Sequence, residues 1–176
     1  MPYTPYHLGP SGFVALALRK WIDVPVFVLA NVVVDMEVLV VGFLHLGYPI
    51  HRYCHTLIGG AAVGALWGLA AYLLFRRAFQ RLMNLLRIGY KPGLVKMIVS
   101  GSLGAVFHVL IDAIYHYDVR AFWPSRISLR RLFHYVQQER IETICLYFFL
   151  AVAVLYIHAV ISFQKNKRTR NNETAE

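Results

Sequence analysis

Apolar residues run along this chain in long blocks separated by short polar breaks. Leu57 to Phe75 is 19 residues without a charge, and Ile144 to Phe163 is 20, interrupted only by His158. At ~1.5 Å of rise per residue each block can cross a hydrocarbon layer of ~30 Å as a helix. A third block runs from about Lys96 to Tyr115. A fourth runs from about Val24 to Tyr48 and carries Asp35 and Glu37 near its middle. The pattern predicts an all-α, polytopic membrane protein with about four transmembrane helices plus short interfacial helices. Residues 1–163 read as a single membrane-embedded domain. QKNKRTRNNETAE, residues 164–176, reads as a polar, disordered cytoplasmic tail.

The breaks carry their own signals. Pro10, Ser11 and Gly12 mark a turn before Phe13–Leu18, an apolar stretch too short to span, so an interfacial or re-entrant helix is expected. Gly60, Gly64 and Gly68 fall at i, i+4 and i+8, a small-residue face that lets helix backbones approach closely in lipid. It reads first as a tight packing face, and as a possible homo-oligomer contact. Residues 76–93 form a basic amphipathic loop ending at Gly89 and Pro92. Ser128 is placed to cap a helix that runs into the last span.

Composition agrees with the pattern: 58% hydrophobic residues and only 15% charged, against about a quarter charged in soluble domains. The opening MPYTPYHLGPSG lacks a basic n-region and holds prolines and a histidine before any apolar run, so it is not expected to be a signal peptide. Cys54 and Cys145 give neither a disulfide framework nor a CxxC pattern and read as small apolar fillers. The net charge of +9 reads as a topology signal rather than a nucleic-acid footprint. With the N-terminus inside, Arg19 and Lys20, six basic residues between 76 and 96 and four between 165 and 170 lie inside, twelve in all. Arg52 and five more between 120 and 140 lie outside. The balance favours both termini in the cytoplasm.

The informative residues are the polar ones inside the apolar blocks. An Asp or Arg at a helix centre costs ~2.5–3.5 kcal/mol on insertion scales, so such residues face a protein interior and serve a function. In FHVLIDAIYHYD, His108 and Asp112 stand four residues apart, on one helical face, and His116 follows a turn later with Asp118 beyond it. His51 and His55 in HRYCHT repeat the spacing at the start of the second span. Imidazoles and carboxylates without thiolates suit Zn²⁺, Mn²⁺ or Fe²⁺, and the set is large enough for one or two ions. In the four-span arrangement these groups meet near the outer interface, with Asp35 about mid-depth. His7 fits poorly with an inside N-terminus. No GxSxG, P-loop or GxGxxG is present, so serine catalysis and nucleotide handling are not indicated.

MPYTPYHLGPSG, VVVDME, HRYCHTLIGGAAVG and HVLIDAIYHYDVRAFWP, in that order over roughly residues 1–125, resemble the small bacterial integral-membrane metal-dependent hydrolases. That family is itself distantly similar to zinc-dependent phospholipase C and related single-strand nucleases. The resemblance implies a metal site of His7, Asp35, His55, His108 and Asp112, with Asp35 as general base, and a second patch at His116 and Asp118. The family's PD is VD here (Val34, Asp35), Tyr115 stands where a Met-type residue recurs, and HRYCHT is bulkier than usual.

The expected function is that of an inner-membrane hydrolase using a divalent metal, Zn first and Mn or Fe next, against an ester. The membrane setting favours an amphipathic phospholipid or other phosphate ester, whose oxygens Arg52, Arg120 and Arg126 could hold. Two alternatives use the same residues differently. A proton or metal-ion transporter needs intramembrane His and Asp. A non-catalytic membrane partner would assemble through Gly60, Gly64 and Gly68.

Overall fold

The structure is a computed structural model that describes residues 4–125, 127–135 and 137–173. It is helical, with no strand among the described residues. Four helices or helix runs are long and apolar enough to cross a membrane: Val24–Phe43, Leu57–Leu85, Leu94–Tyr115 and Glu139–Lys165. The chain is thus polytopic, as the apolar blocks predict.

Helix α1 (Thr4–Ala17) has 14 residues, about 21 Å at 1.5 Å per residue, and falls short of a full span. It runs helically straight through Pro10, Ser11 and Gly12, where the sequence suggested a turn. In lipid an irregular backbone would strand its N–H and C=O groups, so a helix absorbs Pro and Gly when neighbours cover them. Here the neighbour is α7 (Gln138–Glu173): Gly12 lies against Val152, Phe13 against Phe148, and a Cβ at Gly9 would press on the Cys145 carbonyl.

Helix α2 (Val24–Phe43) begins at Asp23, whose side chain accepts the Val26 N–H. Asp23 is buried, and its second oxygen accepts the Tyr90 hydroxyl at 2.8 Å. Helix α1 runs antiparallel to α2: Ser11 donates to Asn31 at 3.0 Å near the middle, while Ala15 packs with Ile22 and Phe27 at one end. The Tyr6–His7 end of α1 therefore lies at the far end, level with the C-terminal part of α5 (Leu94–Tyr115). Arg19 and Lys20 lie at the end that holds the 86–93 connection and Lys96. The twelve-to-six charge balance stands, but the expectation of an inside N-terminus does not. With the basic end cytoplasmic, residue 4 is on the opposite side, and His7 is on the side where a site needs it.

Helix α3 (Leu57–Ala70) is capped by Thr56, which accepts the Gly59 N–H at 2.9 Å. It passes through a π-helical turn (Ala71–Phe75) into α4 (Arg76–Leu85), so the expected loop at 76–93 is largely helix. Helix α4 is amphipathic as predicted, with Phe79 and Met83 buried and Arg76, Arg77 and Arg81 exposed. The short α6 (Leu129–Leu132) follows Ser128, which makes no side-chain cap bond, and it stops well before α7. Arg130 is buried over the Tyr117 ring at 5.1 Å and pins α6 to the segment after α5. Helix α7 continues to Glu173, through most of the tail expected to be disordered. That stretch contains no Gly or Pro to stop it.

The closest packing is between α3 and α5, which run antiparallel. Gly60, Gly64 and Gly68 are buried against Val109, Gly101 and Met97 in turn, so the small-residue stripe read as a possible contact between chains is covered by this chain's own α5. A Cβ at Gly64 would collide with the Gly101 carbonyl, and one at Gly68 with the Met97 carbonyl. Both neighbours are backbone and cannot swing aside. Gly64→Ala is expected to destabilise by about 1–3 kcal/mol through overpacking. Gly42→Ala, with nothing within 4 Å of the added carbon, should be neutral or slightly stabilising. Thermal unfolding of the two variants in detergent separates them.

Candidate metal centre

Each functional side chain owes its position to a different element. Helix α5 carries His108 and Asp112 on one face, as their four-residue spacing requires. The two are in contact, with His108 Nε2 3.1 Å from Asp112 Oδ2. Helix α2 lies beside α5 and brings Asp35 to 3.1 Å from the same His108 Nε2. Helix α1 delivers His7, whose Nε2 is 3.1 Å from Asp112 Oδ1.

His51 and His55 are not on a helix, contrary to the i, i+4 reading. They sit in the irregular segment before α3. Two carboxylates take that segment's backbone donors. Glu37 accepts from the N–H groups of Arg52 at 2.9 Å and Cys54 at 3.0 Å. Asp118 accepts from those of Ile50 at 3.2 Å and His51 at 3.3 Å. N–H groups held this way are unavailable to a helix ladder. The same carboxylates aim the rings: Glu37 holds His55 Nδ1 at 2.9 Å and Asp118 holds His51 Nδ1 at 2.9 Å. A carboxylate behind an imidazole fixes its tautomer and raises its basicity as a ligand. Glu37 and Asp118 therefore act as positioning residues. Asp118, which the resemblance implies in a second metal patch, thus stands behind His51, and Glu37, two residues from Asp35 in the sequence, stands behind His55.

One ligand atom each from Asp35, His55, His108 and Asp112 lie within 4.8 Å of one another. Four donors about 2.1 Å from one tetrahedral ion stand about 3.4 Å apart, and the imidazole–carboxylate separations here are 3.1–3.6 Å. His55 and His108 are fully buried and Asp112 nearly so, while Asp35 keeps 17% of its side chain accessible. His55 Nε2, His108 Nε2 and Asp112 Oδ1 are buried and form no well-directed hydrogen bond, although carboxylate or imidazole atoms stand 3.1–3.6 Å away. Buried polar atoms are almost always satisfied. Nitrogens and oxygens that converge without bonding one another fit a cation, and the N/O set fits Zn²⁺, Mn²⁺ or Fe²⁺. The nearby Cys54 thiol adds no thiolate, since burial and then the Glu37 charge push it up to about 11.

His116 follows the end of α5 in extended backbone, with Nε2 3.9 Å from Asp112 Oδ1. Burial, helped by His51 and opposed by Asp112, lowers it to about 4, so it is neutral at neutral pH, the form that binds metals. Beside His51 opens a cavity of about 350 Å³, lined also by Thr56, Tyr53, Trp123, Arg52 and Arg120. Arg120 is exposed at its wall. Arg52 is engaged by the loop, donating from Nε to the Pro49 carbonyl at 3.1 Å and from Nη2 to the Leu46 carbonyl at 3.0 Å. Arg126 lies outside the described residues. His45, His134 and His158 are exposed and outside the cluster.

Fold and cluster together define a polytopic helical membrane protein with a histidine–carboxylate core. The family model of the YdjM inner membrane protein matches residues 10–167. The chain belongs to that family and is a multi-pass protein of the inner membrane. No curated protein and no solved structure matches it, and the likeness to phospholipase C read from the motifs gains no support from the comparisons.

The Asp118 arrangement has a pH signature. Burial works against its charge, but the hydrogen bond and charge of His51 outweigh it and hold the carboxyl below its usual value. A folded pKa below the unfolded one contributes stability that is full above about pH 4 and is lost as pH falls through the folded value. The melting-temperature gap between wild type and Asp118→Asn should be full above about pH 4 and close on acidification below it. A gap that grows with acid would refute the assignment.

Proposed function

We propose that this chain is a membrane-embedded, metal-dependent hydrolase that binds a divalent cation through Asp35, His55, His108 and Asp112. The observation that carries the reading is the convergence of these four groups from three separate segments, with buried ring nitrogens that no hydrogen bond satisfies. A bound divalent cation supplies Lewis acidity and brings the pKa of a water toward neutrality. The chain's own residues do the rest. Asp35, the more accessible of the two cluster carboxylates, would be the group to take a proton from an attacking water beside it. Glu37 keeps the His55 ring in place through Nδ1. Low exposure on every other side excludes bulk water from the reacting atoms.

The substrate class follows from the surroundings. The cavity beside His51 joins apolar and aromatic walls to the Arg120 guanidinium, which suits an ester with an anionic phosphate and an apolar body. The cluster also lies toward the C-terminal end of α5, at the opposite end of that helix from Lys96 and the 86–93 connection, where an amphipathic molecule in the outer leaflet reaches it. Zn is the first candidate, with Mn or Fe next.

Metal content of the detergent-purified protein, measured by mass spectrometry, tests the reading. Wild type should retain at least one transition-metal ion per chain. His108→Ala and Asp112→Ala, checked to be monodisperse, should lose it, and Glu37→Gln should weaken affinity about 10–100-fold. Hydrolysis of phosphate esters should fall about 10²–10⁴-fold in Asp35→Asn. Folded protein that takes up no metal even on reconstitution would sink the proposal.

A further inference from the structure

The two oxygens of Asp112 face different sets of imidazoles. Oδ2 is approached by His108 at 3.1 Å and His55 at 3.6 Å. Oδ1 is approached by His7 at 3.1 Å and His116 at 3.9 Å. A second group of ligand atoms, one each from His51, Asp112 and His116, also lies within 4.8 Å of one another. The His51 and His116 rings are 4.4 Å apart, and His51 is 4.6 Å from His55 of the first group. Since Asp118 occupies His51 Nδ1, Nε2 is the nitrogen left to coordinate.

We propose that Asp112 is a bridging carboxylate and that His51, His116 and Asp112 Oδ1 hold a second divalent cation beside the first. The inference rests on the metal reading of the Asp35 cluster and extends it from one ion to two. Charge favours it. Asp35 and Asp112 lie in the first cluster, Glu37 stands behind its His55 and Asp118 behind His51 of the second group, and the ion-pair partners of Glu37, Asp112 and Asp118 are histidines. Coordinating histidines are neutral, so four carboxylates sit in a largely buried region and two dications balance them, where one leaves an uncompensated excess. Geometry favours it as well. Ions bridged in hydrolytic pairs stand about 3.5–4 Å apart, a separation that one carboxylate bound through both oxygens provides.

The two positions differ in access. The Asp35 cluster is enclosed, while His51 lines the 350 Å³ cavity. The second ion is therefore the exchangeable one and the one a phosphate oxygen in the cavity meets first.

The test uses the full chain in detergent, stripped with chelator and dialysed against Mn²⁺, with metal counted by mass spectrometry and coupling read by electron paramagnetic resonance. Wild type should bind two Mn²⁺ per chain and show an exchange-coupled spectrum. His51→Ala and His116→Gln should each bind one and show an uncoupled spectrum, and agreement between them guards against a misfolded variant. His108→Ala should lose the enclosed ion. One ion in wild type, unchanged in His51→Ala and His116→Gln, would overturn the second site and leave the single-metal reading standing. Two uncoupled ions would overturn the bridge. No ion in wild type would overturn both readings together.

Discussion

A carboxylate buried at membrane depth is tolerable only if its surroundings supply what water would have supplied, and Asp112 sets that demand for the whole molecule. It is 2% exposed, near the end of a 22-residue apolar helix. His7 comes to it from α1, His55 from the segment before α3, and His108 from one turn earlier on α5. Those side chains are charged or strongly dipolar, and each needs support in turn. Glu37 stands behind His55 and, on the outer side, Asp118 behind His51. The polar core is a chain of mutual obligations, and the helices lie where they do because these groups must meet.

Much of this was legible in the sequence. The apolar blocks gave four spans because length and hydropathy are local properties. His108 with Asp112 could be paired because a helix carries i and i+4 on one face, and nothing outside the segment is needed to know that. Residues joined only by folding were harder. On a helix Glu37, two residues from Asp35, points away from it, and its partner His55 lies 18 residues on and across a loop. Asp118 looked like a ligand because its residue type is that of a ligand. Its contact with His51 Nδ1, beside its hydrogen bonds from the Ile50 and His51 N–H groups, places it behind a histidine. His51 and His55 have helical spacing without a helix, since side-chain carboxylates took the donors that a helix would have used.

The orientation of α1 depended on tertiary contact in the same way. Its residues carry no charge between His7 and Arg19, so the charge rule sees only where the segment ends and not where it starts. The contact of His7 with Asp112, with Ser11 and Asn31 midway, settles its direction. A short helix packed between α7 and α2 then brings Asp112 an imidazole partner that the four spans alone do not carry.

The α3–α5 glycine contact has a consequence for the site as well as for packing. Gly64 meets Gly101 backbone to backbone, so no side chain lies between the two helices to flex or repack. His55 stands two residues before α3 begins, in the segment that leads straight into that rod, and His108 follows Gly101 by seven residues on the other. With the rods locked at the glycines, the offset between the two imidazoles is gauged from the apolar half of the bundle, as a caliper's jaws are set by its pivot.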